Sequence, residues 1–215
     1  MTDRRSLCGI ESTEQREILL RKIAAASAAG VDWIQIREKD LPGKDCASLT
    51  LEALQRTAKS LANKTAPARI LVNDRLDVAL SQKADGVHLG ENSLPPAEAK
   101  RLVDARGGTH DFLVGVSCHS LEAARVAATG GADYLFFGPV FATPSKAAFG
   151  APQGLERLAE VCRAVSIPVL AIGGITVSNA SSCLAAGASG IAAIRLFQDA
   201  LDISAIVHSL KSLKR

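Results

Sequence analysis

The chain has 215 residues, 47% of them apolar but only 4% aromatic, and a formal charge of +3. Acids and bases are mixed along it without a dense Lys/Arg block, which argues against nucleic acid or a membrane surface as its partner. Its five cysteines, Cys8, Cys46, Cys118, Cys162 and Cys183, are odd in number and include no C-x-x-C pair, so neither a disulfide framework nor a structural zinc site is expected.

Met1-Thr2-Asp3 reads as the tail of a short first strand. A helix over 14–29 follows, and Ala28-Ala29-Gly30-Val31-Asp32 then leads into a strand over 33–37. The next helix covers 46–63, and the next strand Arg69-Ile70-Leu71-Val72-Asn73. Lys83-Ala84-Asp85-Gly86 opens a strand over 87–89, after which Pro96 suits the first turn of a helix over 96–105. Strand 112–117 precedes helix 121–129, and Gly130-Gly131-Ala132-Asp133 opens the strand over 134–138. Helix 155–165, strand 168–173, helix 178–186 and strand 191–194 complete the series. The small-residue turns before the strands suit helix C-caps, where φ is positive.

Seven strands each followed by a helix, with the short one in front, imply parallel pairing with right-handed crossovers. Eight units in 215 residues fit a compact (β/α)8 TIM barrel forming a single domain over 1–215. A doubly wound sheet would carry G-x-G-x-x-G after its first strand, and none is present. The chain has no apolar signal region, and no apolar run approaches the roughly 18 residues that span a bilayer. The expected location is the reducing cytoplasm, and a homo-oligomer is compatible with the sequence.

In a barrel the chemistry sits where strands end. Those ends carry Gln35, Arg37, Lys39, Asn73, Asp74, Glu91, Ser93, Ser117, His119, Thr143, Ser145, Lys146, Gly173, Gly174, Ile194 and Arg195. Several have plain alternatives. Asn73 and Asp74 suit an N-cap, and Ser120 after His119 suits another. His88 reads as a packed core histidine, and Gly173-Gly174 as a tight turn. Their convergence on one rim favours a site. Arg37, Lys39 and Lys146 suit phosphate oxygens. Asn73 and Asp74 supply oxygen ligands for Mg²⁺, which usually takes one or two carboxylates plus substrate phosphates. Gly173-Gly174 before a helix suits a second phosphate, with Thr143 and Ser145 as hydroxyl donors.

Five motifs in order carry a resemblance: Gln35-Ile36-Arg37-Glu38-Lys39, Val72-Asn73-Asp74-Arg75, Ala84-Asp85-Gly86-Val87-His88-Leu89-Gly90, Gly138-Pro139-Val140-Phe141-Ala142-Thr143-Pro144-Ser145-Lys146, and Ala171-Ile172-Gly173-Gly174-Ile175-Thr176. Over nearly its whole length the chain resembles the thiamine-phosphate synthase family. The resemblance implies Mg²⁺-assisted, dissociative joining of a hydroxymethylpyrimidine diphosphate to a thiazole phosphate. It implies that Arg37, Lys39, Asn73 and Lys146 hold the diphosphate, with Asp74 on the metal. Gln35 and Ser117 would face the pyrimidine or its leaving group, and Thr143, Ser145 and Gly174 the thiazole phosphate. The family's second metal-binding Asp is replaced here by Ser93, which leaves Glu91 or a water held by Ser93 to assist. Arg195 stands where a small hydroxyl residue is common. The Ser93-Leu94-Pro95 segment and His119 look more like the related thiazole tautomerase, a metal-independent isomerase with a histidine acid/base. A non-catalytic thiamine-precursor binding protein is the third reading.

Overall fold

The computed structural model of the protein describes residues 1–7, 11–59, 66–107, 111–143 and 151–213. It contains the seven expected strands: β1 (Trp33–Ile36), β2 (Arg69–Asn73), β3 (Gly86–Leu89), β4 (Leu113–Cys118), β5 (Tyr134–Phe137), β6 (Val169–Ile172) and β7 (Gly190–Ala192). Helices α1 (Ser12–Ala28), α2 (Gly43–Lys59), α3 (Leu76–Ser81), α4 (Pro96–Ala105), α5 (Leu121–Thr129), α6 (Gly154–Ala164), α7 (Val177–Ala185), α8 (Arg195–Gln198) and α9 (Ile203–Lys211) alternate with and follow them. This is a TIM-like α/β fold.

The expected first strand is not formed: Met1-Thr2-Asp3 runs into a 3₁₀ turn over Arg4–Ser6. The Thr2 N–H still donates to Gln35 O at 2.9 Å, and Thr2 Oγ1 accepts the Arg37 N–H at 2.8 Å. Thr2 therefore meets β1 with one backbone bond and one side-chain bond, too few for a ladder.

The chain divides into two compact units, one built on Met1–Val87 with Ile194–Lys211, the other on His88–Ala193. In the first, β1 and β2 are parallel, with Gln35 opposite Leu71. Its core is aliphatic: Leu19, Leu20 and Ile23 of α1, Leu49 and Ala53 of α2, Ile34, Ile36 and Ile70 of the strands, and Ile203 and Val207 of α9. Each large aliphatic side chain removed from water contributes roughly 1.5–3 kcal/mol. In the second unit, β4, β5, β6 and β7 are parallel neighbours in that order. Val114, Leu135, Phe137, Leu158 and Ala171 are all but fully buried there.

The small-residue turns work as the sequence implies. Gly30, Gly131 and Gly187 take φ near 91–101°, where a Cβ is unfavourable, and the next residue's N–H reaches back into the helix: Val31 to Ala26, Ala132 to Ala127, Ala188 to Cys183. The Asp that follows serves the neighbouring strand. Asp85 donates its N–H to Ile70 O and accepts the Ile70 N–H on Oδ2; Asp133 does the same with Val114. Two bonds from one residue set each start of the parallel register. Pro96 occupies the first turn of α4, and Ser120 caps α5 by accepting the Ala123 N–H. Among the described residues no helix is long and apolar enough to cross a membrane.

Candidate functional site

In the first unit, the ends of β1 and β2 meet. Gln35 alternates with Ile34 and Ile36 along β1 and is 2% exposed. Its Nε2 donates to Asn73 Oδ1 at 2.9 Å, and Asn73 Nδ2 donates to Asp74 Oδ2 at 2.8 Å. Gln35 Oε1 is buried and has no partner among the described residues. An unmet buried acceptor costs about 1–3 kcal/mol, a cost that a donating ligand removes. Asp74 sits at φ 58°, a left-handed conformation uncommon outside glycine. Neither Asn73 nor Asp74 caps α3, whose N-cap is Arg75 without a side-chain bond. The N-cap explanation of this pair therefore fails, and Asp74 stands exposed at the strand end. Arg75 instead holds Asp77 through Nε and Nη2 at 2.9 and 2.6 Å. Arg37 is half-buried and Lys39 exposed, and neither side chain has a hydrogen-bonding or ion-pair partner among the described residues. Ile194 is the N-cap of the four-residue α8, and Arg195 is its exposed first residue.

The metal question turns on donor chemistry. Among the described residues no group of three or more His, Cys, Asp or Glu could hold a metal ion by itself. The Asp74 carboxylate at a strand end fits a hard cation that completes its shell with waters and phosphate oxygens, the habit of Mg²⁺.

In the second unit a histidine organises the strand ends. His88 on β3 is 1% exposed. Its Nδ1 lies 2.9 Å from Tyr134 Oη and its Nε2 2.8 Å from Ser117 Oγ. Its ring packs on Phe136 with centroids 4.1 Å apart. Either neutral tautomer bonds both hydroxyls, one as donor and one as acceptor. Burial, and secondarily the Asp133 charge, pushes the Tyr134 phenol far above its usual range, so it stays protonated. Gly115 makes this possible: a Cβ there would lie 2.0 Å from the Tyr134 ring. His88 is thus the packed histidine its strand position implies, and it also holds a site candidate, Ser117. The signal for this in the sequence is a glycine inside a strand, which often marks a close approach.

Ser117 is half-buried, and His119 is exposed beyond it. The His119 N–H donates to Glu91 Oε2 at 3.0 Å, and its Nδ1 bonds the Gly138 carbonyl. A carbonyl only accepts, so Nδ1 carries the proton, and in the neutral ring Nε2 keeps its lone pair. Burial, with Glu91 second, pushes the neighbouring Cys118 thiol up to about 12. Ser93 Oγ accepts the Gly90 N–H at 3.1 Å, which closes the turn after β3. Gly173 and Gly174 have φ 95° and 65°. A Cβ on Gly173 would lie 2.5 Å from Pro139, and one on Gly174 2.6 Å from Ala142 O. The pair therefore presses its backbone against the chain after β5, and no other residue fits. At α7, Thr176 and Asn179 form a reciprocal capping box, and Asn179 Nδ2 also ties down Gly174 O at 2.9 Å. Thr143 is half-buried; Ser145 and Lys146 lie outside the described residues.

The structure thus joins Gln35, Asn73 and Asp74 in one network, and His119 with Glu91 in another. It ties Ser117 to a residue outside the candidate set, His88. Comparison with known proteins adds the family. A family model described as thiamine monophosphate synthase matches residues 7–197. A putative thiamine-phosphate synthase of Geobacter sulfurreducens is 46% identical over 176 residues, 82% of this chain and 78% of that one. The thiamine-phosphate synthase of Methanoculleus marisnigri is 45% identical over 186 residues, covering 86% and 83%. Among solved structures, a thiamine phosphate pyrophosphorylase from Pyrococcus furiosus superposes with a TM-score of 0.79 at 33% identity, covering 99% of this chain and 92% of that one.

Proposed function

The chain belongs to the thiamine monophosphate synthase family, and on that premise we propose that it joins a hydroxymethylpyrimidine diphosphate to a thiazole phosphate, giving thiamine phosphate and pyrophosphate. The observation that carries this is the end of β1, where, among the described residues, a buried amide acceptor on Gln35 has no partner and lies two and four residues from Arg37 and Lys39, cations with no hydrogen-bonding or ion-pair partner there. An amide oxygen that needs a donor suits an amino-substituted heterocycle, and unpaired cations suit a diphosphate.

The bond between the pyrimidine methylene and the diphosphate oxygen breaks, and its electron pair leaves with pyrophosphate. The thiazole ring nitrogen then gives its lone pair to the methylene carbon. That nitrogen has no proton to lose, so the reaction requires neither base nor covalent nucleophile. Arg37, Lys39, Asn73 and Lys146 take up the charge that grows on the leaving group, which is the part of such a reaction that fixed charges accelerate. Gln35 holds the pyrimidine, and Ser117, fixed by His88, offers an oriented hydroxyl. Thr143, Ser145 and the Gly173-Gly174 backbone hold the thiazole phosphate, with Ile194 and Arg195 contributing at the start of α8. Bound Mg²⁺ would supply further neutralisation of the diphosphate. Asp74 would hold it, with Glu91 and Ser93 as weaker oxygen donors.

The test offers both substrates with Mg²⁺ and then with EDTA. Thiamine phosphate and pyrophosphate should appear in equal amounts and cease with chelation; no product under any metal condition sinks the reading. One observation favours a second reading. The lone pair on His119 Nε2 is what an acid/base isomerase of the thiazole phosphate needs. His119→Ala should then abolish metal-independent tautomerisation, and an undiminished rate removes that role.

A further inference from the structure

Arg37-Glu38-Lys39-Asp40 alternates in charge and sums to zero. Such a run makes a poor receptor for a diphosphate, since each cation has an acid beside it. The structure resolves the difficulty with a residue far off in sequence. Glu38 has a side chain with no exposed surface, and its two oxygens accept the Arg4 backbone N–H at 3.2 and 3.0 Å. Arg4 Nη1 reaches Glu38 Oε2 at 3.1 Å and Asp40 Oδ1 at 2.9 Å, while Nη2 reaches Asp40 Oδ2 at 2.8 Å. One guanidinium therefore engages both acids. Arg4 is itself held in place. Thr2 is bonded to β1 on one side, and on the other Ser6 Oγ meets Gln198 Oε1 at 3.0 Å while Gln198 Nε2 donates to Asp3 O at 2.9 Å.

We propose that Arg4 is a positioning residue for diphosphate binding: it masks Glu38 and Asp40, so that Arg37 and Lys39 act as an unopposed cation pair. This rests on the condensation reading for the identity of the natural anion, but not for the anion chemistry. Without the Arg4 side chain, two carboxylates face the incoming diphosphate at loop range, and Glu38 keeps only the backbone N–H of residue 4.

Inorganic pyrophosphate, titrated calorimetrically into the metal-free protein, is the probe. Arg4→Ala should weaken its binding by roughly five- to thirtyfold, the scale of two unmasked charges acting through partly screened solvent. The triple change Arg4→Ala, Glu38→Gln, Asp40→Asn should recover wild-type affinity to within about threefold, because it removes the acids along with their mask. Glu38→Gln with Asp40→Asn, keeping Arg4, should bind pyrophosphate at least as tightly as wild type. In turnover, Arg4→Ala should raise the KM for the pyrimidine diphosphate and leave that for the thiazole phosphate unchanged. Wild-type affinity in Arg4→Ala overturns the proposal. So does a triple variant that melts like wild type yet binds as weakly as Arg4→Ala, since Arg4 would then be only a staple. Arg4-dependent pyrophosphate binding without any condensation retains the inference and removes the substrate assignment. Condensation with Arg4→Ala indistinguishable from wild type does the reverse.

Discussion

Asp85 and Asp133 stand just before strands, while Gln35, Asn73 and Ser117 stand at strand ends; all are polar groups beside a buried sheet. At the starts the bonding is closed: each aspartate engages both backbone groups of one neighbouring residue, and Asp133 also pairs with Lys100 at 2.6 Å. At the ends of β1 and β2 it is open: among the described residues Gln35 Oε1 accepts nothing and neither Arg37 nor Lys39 has an ion-pair partner. Burying an unmet acceptor lowers stability, and stability is what the strand-start aspartates supply. The β1–β2 end therefore gives up stability where a ligand can restore it. The end of β4 is intermediate, with Ser117 bonded to His88 yet only half-buried.

Substitutions should divide along the same line. The largest effect is expected from Asp74→Ala. Turnover with Mg²⁺ should fall by about a hundredfold or more, since the carboxylate proposed to hold the metal is lost. The melting temperature should fall by only a few degrees, because Asp74 is exposed, its bond from Asn73 is a surface one, and alanine tolerates the left-handed φ only somewhat less well than aspartate. Steady-state kinetics beside calorimetric melting checks this, and a large loss of stability would place Asp74 with the structural aspartates. Next is Asp133→Ala, which should lower unfolding free energy by about 1–3 kcal/mol by orphaning the Val114 N–H, with kcat unchanged. Urea titration and turnover measured together test it. Gln35→Met should raise the KM for the pyrimidine substrate about tenfold while changing stability by less than about 1 kcal/mol, because the same change deletes an unmet acceptor and a bond to half-exposed Asn73. If stability falls steeply instead, Oε1 is satisfied in solution and the contrast between the two strand ends weakens.

Much of this was legible in the sequence, for local reasons. The turn Gly-Ala-Asp before β5 states a helix cap, a chain reversal and a strand start in adjacent residues, so element order is readable, and boundaries among the described residues coincide or shift by no more than three residues. Pro96 and Ser120 announce helices by chemistry that acts within one turn. What was not legible depends on partners far apart in sequence. Glu38 reads as part of a site motif, but its oxygens are taken by Arg4, 34 residues away. His88 reads as core, and so it is, but its value to Ser117 needs Tyr134, and Tyr134 needs the space left by Gly115. The missing first strand has the same character: Thr2 has the right neighbour, Gln35, but too few residues to pair before the turn at Arg4.

The smallest effect concerns Asp40, where open and closed bonding meet in one loop. Its hydrogen bond to Arg4, working against partial loss of hydration, holds its carboxyl below the ordinary aspartate range. A depressed folded-state value means the unfolded chain takes up the proton first. The stabilisation is therefore complete above the ordinary value of about 4 and is lost as pH falls through the lower folded value. Its side chain is 39% exposed, so solvent screening limits the contribution to about 1 kcal/mol or less. Asp40→Asn should accordingly differ slightly from wild type in urea midpoint at pH 7 and converge with it under acid. Glu38 keeps Arg4 in place throughout, which is why the loop should survive the change. An Asp40→Asn variant more stable than wild type at pH 7, with the two converging under acid, would mean that the Asp40 charge opposes folding, and Arg4 would then serve Glu38 alone.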